Sequence, residues 1–343
     1  MTIVAVDNRS VRANGRPDSD SWQQALRTAI RDPIRLCRQL RLPPQYESGA
    51  VDAARDFPVF APLALVAKMK SGDPHDPLLR QVLPLADELQ PAANFTNDPV
   101  GDVAAAIGPG LLHKYHGRAL MVTTGACAVH CRYCFRRHYP YDAGPHSIAD
   151  WQPALAQLAA DPTIEEILLS GGDPLMLVDF QLQQLILQLT AISHLRRLRI
   201  HTRLPIMIPE RVTDALITAL RTTRLTAIMV IHANHPAELD EPVVASVARL
   251  IDAGVPLLNQ SVLMRGVNDD AEVLAELSRR LIDSRVMPYY LHQLDRVAGA
   301  AHFEVPISRG RELIELLRTR LPGYAVPRYV QEIPGEGCKR LLA

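Results

Sequence analysis

Cys127-Ala128-Val129-His130-Cys131-Arg132-Tyr133-Cys134 is the stretch of this 343-residue chain whose reading decides the rest. Three thiolates at C-x3-C-x2-C spacing can grip three irons of a 4Fe-4S cube and leave the fourth iron without a protein ligand, open to a small molecule that coordinates and reacts there. A ferredoxin would complete the ligation with a further nearby cysteine, followed in the bacterial run by a proline. Here the next cysteine, Cys338, stands about 200 residues on. A structural zinc site is the competing reading, because His130 and His138 make a Cys3His set available. Disulfides are disfavoured by the odd total of five cysteines, the length of the chain and a polar stretch 1–20 unlike a secretory leader, which together point to a reducing cytoplasm. Cys37, among Arg35, Arg38 and Arg41, reads as packing.

Composition narrows the partners. With 37 basic and 37 acidic residues the net charge is zero, so the chain offers no electrostatic footprint for nucleic acid or an anionic membrane. No apolar run reaches the 18 residues or so that a bilayer span needs. The expected substrate is therefore a small molecule.

Around the cysteines, short apolar runs at 119–124, 166–170, 197–201, 226–231, 255–262 and 286–293 alternate with segments of helical period at 151–160, 182–192, 208–221, 242–253, 271–284 and 308–320. Six β-then-α units predict a parallel sheet with right-handed crossovers, two units short of a closed barrel. The expected fold is α/β, a partial (β/α)6 TIM-like barrel. Polar residues cluster at the strand ends, where such barrels place their chemistry: Ser170-Gly171-Gly172-Asp173-Pro174, His201-Thr202-Arg203, His232-Ala233-Asn234-His235-Pro236, Asn259-Gln260-Ser261 and His292-Gln293-Leu294-Asp295. Any one of these reads equally well as a turn or a satisfied polar residue; five in the same register argue for a site. Residues 1–105 read as a mainly helical and irregular N-terminal region, helical over 21–40 and 50–72 and rich in Pro, Asp and Asn over 73–110. The expected division is 1–105, a barrel over 106–330 and a C-terminal segment 331–343.

The cysteine run, together with Leu111-Leu112-His113-Lys114-Tyr115-His116-Gly117-Arg118, Ser170-Gly171-Gly172-Asp173-Pro174-Leu175, Asn259-Gln260-Ser261-Val262-Leu263, Pro288-Tyr289-Tyr290-Leu291 and Ala300-Ala301-His302-Phe303, resembles the lysine 2,3-aminomutase family of radical SAM enzymes. Within the family the chain is most similar to the branch that makes (R)-β-lysine for elongation factor P. The likeness extends from about residue 75 to residue 340. It implies a fold of the radical SAM type and three cofactors: a 4Fe-4S cluster on Cys127, Cys131 and Cys134, S-adenosylmethionine, and pyridoxal 5′-phosphate. It also implies isomerisation of L-α-lysine by 1,2-amino migration. Breaking an unactivated C–H bond requires a hydrogen-abstracting radical, and the amine migrates on the pyridoxal carrier, so the cofactors supply the reactivity and the protein supplies placement.

Residue by residue, the resemblance makes Lys339 the pyridoxal-bearing, catalytic lysine and places Tyr115, Arg118 and Gln260 near the pyridoxal and its phosphate. Gly171, Gly172 and Asp173 are assigned to S-adenosylmethionine, with Arg203 and His232 beside its adenosyl end. Arg136 is matched to the substrate carboxylate; Asp295 and Glu332 are matched to its ε-ammonium, in keeping with the charges of lysine. Glu332 departs from the family's aspartate. Cys338 and Arg340 on either side of Lys339 depart from its usual neighbours, and the zinc-binding cysteines of the longer members have no counterpart here. The implied partners are an external electron donor of the flavodoxin or ferredoxin type and a ligase that attaches β-lysine to elongation factor P, in the cytoplasm; a homo-oligomer is left open. Two other readings remain at this stage, an aminomutase for another amino acid and a non-enzymatic iron-sulfur electron carrier. Asp295 and Glu332 speak against a glutamate substrate, and the missing fourth cysteine speaks against a carrier.

Overall fold

The computed structural model describes residues 21–343 apart from 142, 143 and 146, so the polar stretch 1–20 lies outside the described residues. One ten-stranded sheet forms the frame, with its strands in chain order. It opens with the antiparallel pieces β1 (Ala106–Gly108) and β2 (Leu111–Tyr115), and β2 turns through His116-Gly117 into β3 (Arg118–Thr124). Gly117 takes a φ of +74°, which suits this tight return and sets Tyr115 opposite Arg118. Then follow β4 (Glu166–Gly171), β5 (Arg197–Thr202), β6 (Thr226–Ile231), β7 (Leu257–Val262) and β8 (Met287–His292), all parallel.

Each strand from β3 to β8 leads into a helix, Gln152–Ala160, Asp179–Ala191, Asp214–Thr222, Glu241–Asp252, Ala271–Asp283 and Ile307–Arg318, so the six β-then-α units read from the sequence are present. The helix expected over 208–221 is broken at its start. Pro205 and Pro209 each open a short turn (Leu204–Met207, Pro209–Arg211), and the regular helix begins only after Thr213, whose hydroxyl accepts from Leu216 N.

The sheet continues past the six strands. β9 (Arg328–Gln331) adds a seventh parallel strand beside β8, and β10 (Arg340–Leu341) folds back antiparallel on β9. The two edges do not pair with each other, so the barrel is an open arc. Strand periodicity sorts its residues: along β5, Leu198, Ile200 and Thr202 are buried while Arg199 and His201 line the interior cavity.

The N-terminal helices Ser21–Thr28, Pro33–Gln39, Gln45–Asp56 and Leu63–Val66 pack Trp22, Leu36, Cys37 and Leu65 into the same apolar cluster as the barrel's Leu169, Leu198 and Ile200. Cys37 is fully buried, in the packing role read for it. Residues 57–88 lie along the cysteine loop. Phe60 O accepts from His130 N (3.0 Å) and Gln81 O accepts from Arg132 N (2.9 Å). Glu88 takes two hydrogen bonds from Arg132 (2.8 and 2.6 Å) and pairs with Arg137 (2.9 Å), while Phe57 lies beneath both guanidinium groups (4.8 and 4.7 Å). Among the described residues no helix is long and apolar enough to cross a membrane.

Because Arg132 is wholly buried, its charge depends on Glu88. Glu88→Ala is expected to cost about 3–5 kcal/mol in chemical denaturation, the usual penalty for stranding a buried charge, and to lower the iron bound per chain. Equal stability of the variant and the parent protein would show that the loop does not depend on this pair.

Candidate active site

Cys127, Cys131 and Cys134 line one cavity of about 290 Å3 together with Gly171, Gly172 and Asp173. All five cysteines are free. Burial pushes the Cys127 thiol well above its ordinary range and holds Cys134 at about 11, with crowding among the three sulfurs adding to both shifts, so loading a metal here must expel protons. Among the described residues no group of three or more His, Cys, Asp and Glu side chains is disposed to hold a single metal ion, and each histidine of the competing zinc set has one ring nitrogen on a backbone carbonyl. The His130 ring stacks on Phe57 (5.0 Å) with Nδ1 2.8 Å from Pro58 O, and His138 Nε2 lies 3.2 Å from Ala298 O.

The end of β4 runs directly against the cysteine loop. Gly172 N donates to Thr124 O and Asp173 N to Ala126 O, both at 2.8 Å. A Cβ on Gly171, whose φ is +116°, would stand 2.6 Å from Thr124 O, and one on Gly172 would strike Ala126 O, so only glycine fits at either place. Asp173 is engaged by the protein itself. Its carboxylate accepts from Leu175 N, Thr202 Oγ1, Arg203 N and Leu204 N, and burial still holds it up at about 6. It fixes the rim of the cavity and has little capacity left for a ligand. Arg203 is also committed: its Nη1 lies 2.8 Å from Cys131 Sγ, and its Nη2 donates to Gln81 and Glu238.

A second cavity of about 300 Å3 adjoins the first, with Arg136, Ser170, His201, His232, Gln260 and Asp295 in the wall common to both. A chain of alternating charge crosses it. Arg136 Nε donates to Asp102 Oδ2 (2.6 Å), and Lys114 Nζ meets Asp102 Oδ1 (2.6 Å) and Glu332 Oε1 (2.9 Å); Glu332 in turn pairs with Lys339. Burial opposes the charges of Asp102 and Glu332, but the facing cations win. Arg136 and Lys114 lower Asp102, and Lys339 with Lys114 takes Glu332 down to about 2. The Asp295 carboxylate has no hydrogen-bond or ion-pair partner among the described residues, while its main-chain carbonyl accepts from Val297 N (2.7 Å). Burial, reinforced by the Glu332 charge, raises it to about 7.

Lys339 reaches this cavity through the β9–β10 pairing, Arg340 opposite Gln331, with Gly335 at φ +83° in the turn. Tyr115 and Arg118 line the same cavity, the guanidinium 4.6 Å from the ring centroid. His201, His232 and His292 each carry a buried Nε2 without a protein partner. Burial lowers all three, His232 to about 3, so they face the space as neutral imidazoles. Cavities of this size with orphaned polar atoms, three convergent thiols and a half-buried lysine suit the cofactors implied above.

The strand-end clusters divide by side-chain direction. Gln260 lines both cavities, whereas its neighbours Asn259 and Ser261 bond to Ala233. Thr202 serves Asp173, Gln293 holds Val305 O and Tyr329, and His235 caps its own turn. Asp102, Lys114 and Arg199 belong to the site but were not singled out from sequence; Asp102 comes from an irregular stretch that carries no periodic signal.

The comparisons with known proteins agree with this geometry. Residues 121–277 match the Radical SAM superfamily. The L-lysine 2,3-aminomutase of Escherichia coli (strain K12) is 46% identical over 327 residues, covering 95% of each chain. The chain belongs to the lysine 2,3-aminomutase family. The enzyme of the same name from Haemophilus influenzae is 44% identical over 95% of this chain and 96% of its own, and that of Clostridium subterminale is 36% identical over 94% of this chain and 77% of its own. Membership makes the chain an isomerase, and it implies a 4Fe-4S cluster, S-adenosylmethionine and pyridoxal 5′-phosphate.

The protonation of Asp295 gives a pH signature. Its folded value of about 7 lies above the ordinary aspartate value near 4, so it costs no stability below about pH 4 and an increasing amount as pH rises to about 7. In the ligand-free protein Asp295→Asn is expected to be more stable than the parent in chemical denaturation at pH 8, by up to about 4 kcal/mol, with the advantage vanishing near pH 4. A difference independent of pH would remove the titration assigned to Asp295.

Proposed function

We propose that this chain converts L-α-lysine to (R)-β-lysine by 1,2-amino migration, in a radical SAM and pyridoxal-dependent reaction in the cytoplasm, and that the product serves the ligase that modifies elongation factor P. The observation that carries the reading is the wall common to the two cavities. Arg136 and Asp295 both stand in it, with the three cysteines on one side and Lys339 on the other. When bound, the cluster with S-adenosylmethionine supplies a hydrogen-abstracting radical, and pyridoxal phosphate supplies the carrier for the amine. An external donor of the flavodoxin or ferredoxin type supplies the electron.

The protein's own residues select and hold the substrate. Arg136 spends Nε on Asp102 and Nη1 on Ser170 Oγ (3.0 Å), which orients its remaining N–H groups toward a carboxylate. Asp295, unpaired and holding a proton near neutrality, gives that proton up when an ammonium arrives. Glu332 is occupied by Lys114 and Lys339, so it joins the ammonium seat once Lys339 turns to the cofactor. Its side chain, one methylene longer than the family's aspartate, shifts that seat; the (R) configuration of the product rests on the resemblance alone. Arg118 and Arg199 are the cations on the cavity wall that would face a phosphate, Arg199 through the Nε left free by its pair with Glu166 (3.0 Å); Gln260 reaches both cavities, and Tyr115 lines the same cavity as Lys339. The glycine edge at Gly171-Gly172 and the neutral His232 face S-adenosylmethionine.

The test is anaerobic incubation of reconstituted protein with labelled amino acids. L-lysine is expected to give β-lysine, of (R) configuration on chiral analysis, while L-leucine and L-glutamate, which leave Asp295 unpaired or repelled, do not react. Turnover of leucine at the lysine rate would overturn the pocket assignment. Mass analysis of elongation factor P from cells lacking the gene decides the physiological destination, with loss of the β-lysyl modification expected.

Two substitutions separate the roles. Asp295→Asn is expected to raise KM for lysine by a factor on the order of ten to several hundred with little change in kcat, because the ammonium is remote from the migrating nitrogen. Lys339→Ala is expected to retain its iron yet lose the pyridoxyl label that borohydride fixes on the parent protein. Label on a different lysine would show that the C-terminal turn serves another purpose.

A further inference from the structure

We propose that Arg203 is a positioning residue for the iron-sulfur centre: its guanidinium is clamped so that one N–H is spent on the Cys131 sulfur, where it raises the reduction potential of the bound cluster. Arg203 is 5% exposed. Its Nη1 lies 2.8 Å from Cys131 Sγ, and its Nη2 donates to Gln81 Oε1 (2.5 Å) and Glu238 Oε2 (2.9 Å). The clamp is itself anchored. Glu238, wholly buried, accepts at its other oxygen, Oε1, from Asn234 N (2.9 Å), His235 N (3.0 Å) and Gln81 Nε2 (3.2 Å). Asn234 Nδ2 further donates to Gln81 Oε1 and to the hydroxyl of Tyr133, whose ring lies 5.6 Å from the guanidinium. Among the described residues Cys131 is the only one of the three thiols that accepts a side-chain hydrogen bond.

The physical effect has a definite sign. Reduction places one more negative charge on the cluster and its thiolates, and a guanidinium N–H on a sulfur stabilises that form more than the oxidised one. Glu238 opposes it, because its buried carboxylate partly cancels the guanidinium charge at the sulfur. Gln81 is supplied by the segment lying along the cysteine loop, so the N-terminal region contributes directly to this tuning. The inference rests on cluster binding by the three cysteines and requires neither substrate nor pyridoxal phosphate.

The experiment is an EPR-monitored redox titration of the anaerobically reconstituted full-length protein, without S-adenosylmethionine or lysine, for the parent, Arg203→Met, Arg203→Lys and Glu238→Gln. Iron and sulfide content are measured on each sample. Arg203→Met is expected to lower the midpoint by about a tenfold change in the one-electron equilibrium, or ~59 mV, and Arg203→Lys by less. Glu238→Gln is expected to raise it, a change that mere loosening of the fold would not produce. Full cluster content with unmoved midpoints in all three variants overturns the proposal. Where Arg203→Met holds no cluster, Glu238→Gln decides: a rise supports the assignment, and no change or a fall overturns it. Parent protein without a 4Fe-4S signal would instead defeat the radical reading of the site, so the two failures are distinguishable.

Discussion

The site depends on a run of buried and half-buried charges that alternate in sign, Arg136, Asp102, Lys114, Glu332 and Lys339. An isolated charge at such depth would cost several kcal/mol, so each member persists because its neighbours compensate it. The five residues come from four places: Asp102 from the N-terminal wrap, Lys114 from β2, Arg136 from the loop after the cysteines, and the last two from β9–β10. Electrostatic pairing therefore ties the two ends of the sheet to the cysteine loop, although the sheet edges do not meet through the backbone. The interior of the open arc is bridged in this way, without an eighth parallel strand.

The same principle operates on the other side of the cysteines. Arg132 and Arg137 share Glu88, and Arg203 is held by Glu238 and Gln81, so every guanidinium near the thiols is neutralised or tethered from an element outside the loop. A three-cysteine loop has no regular secondary structure to hold it. Its rigidity comes from the helical N-terminal region, which otherwise looks like a peripheral addition.

Against this compensated background, the uncompensated groups stand out. Asp295 has no partner and retains a proton to about pH 7, and three imidazoles face the cavities with bare nitrogens. Folding leaves these groups, with the buried Nε atoms of Arg137, Arg199 and Arg203, unsatisfied while pairing the charges around them, the expected condition of groups whose partners arrive with ligands. Glu332 is the instructive intermediate. It is paired in this structure, but with the lysine that pyridoxal chemistry would engage.

Several features were legible in the sequence because they depend on spacing and periodicity alone. The C-x3-C-x2-C run and the six β-then-α units are local properties of the chain, and motif likeness supplied the named site residues. What the sequence did not reveal depends on direction and on distance along the chain. Asn259 shares a strand-end cluster with Gln260, yet faces away from both cavities, because side chains alternate across a strand and register is set by pairing. Asp173 and Arg203, matched by resemblance to S-adenosylmethionine, also hold backbone amides and the Cys131 sulfur respectively, interactions that only packing could create. Asp102 and Lys114, 12 residues apart, and Glu332, more than 200 residues further on, carry no shared periodic signal. The sequence by itself determined which groups the molecule possesses and which elements carry them; the tertiary structure alone decided which buried charges found partners, because compensation acts through space and not along the chain.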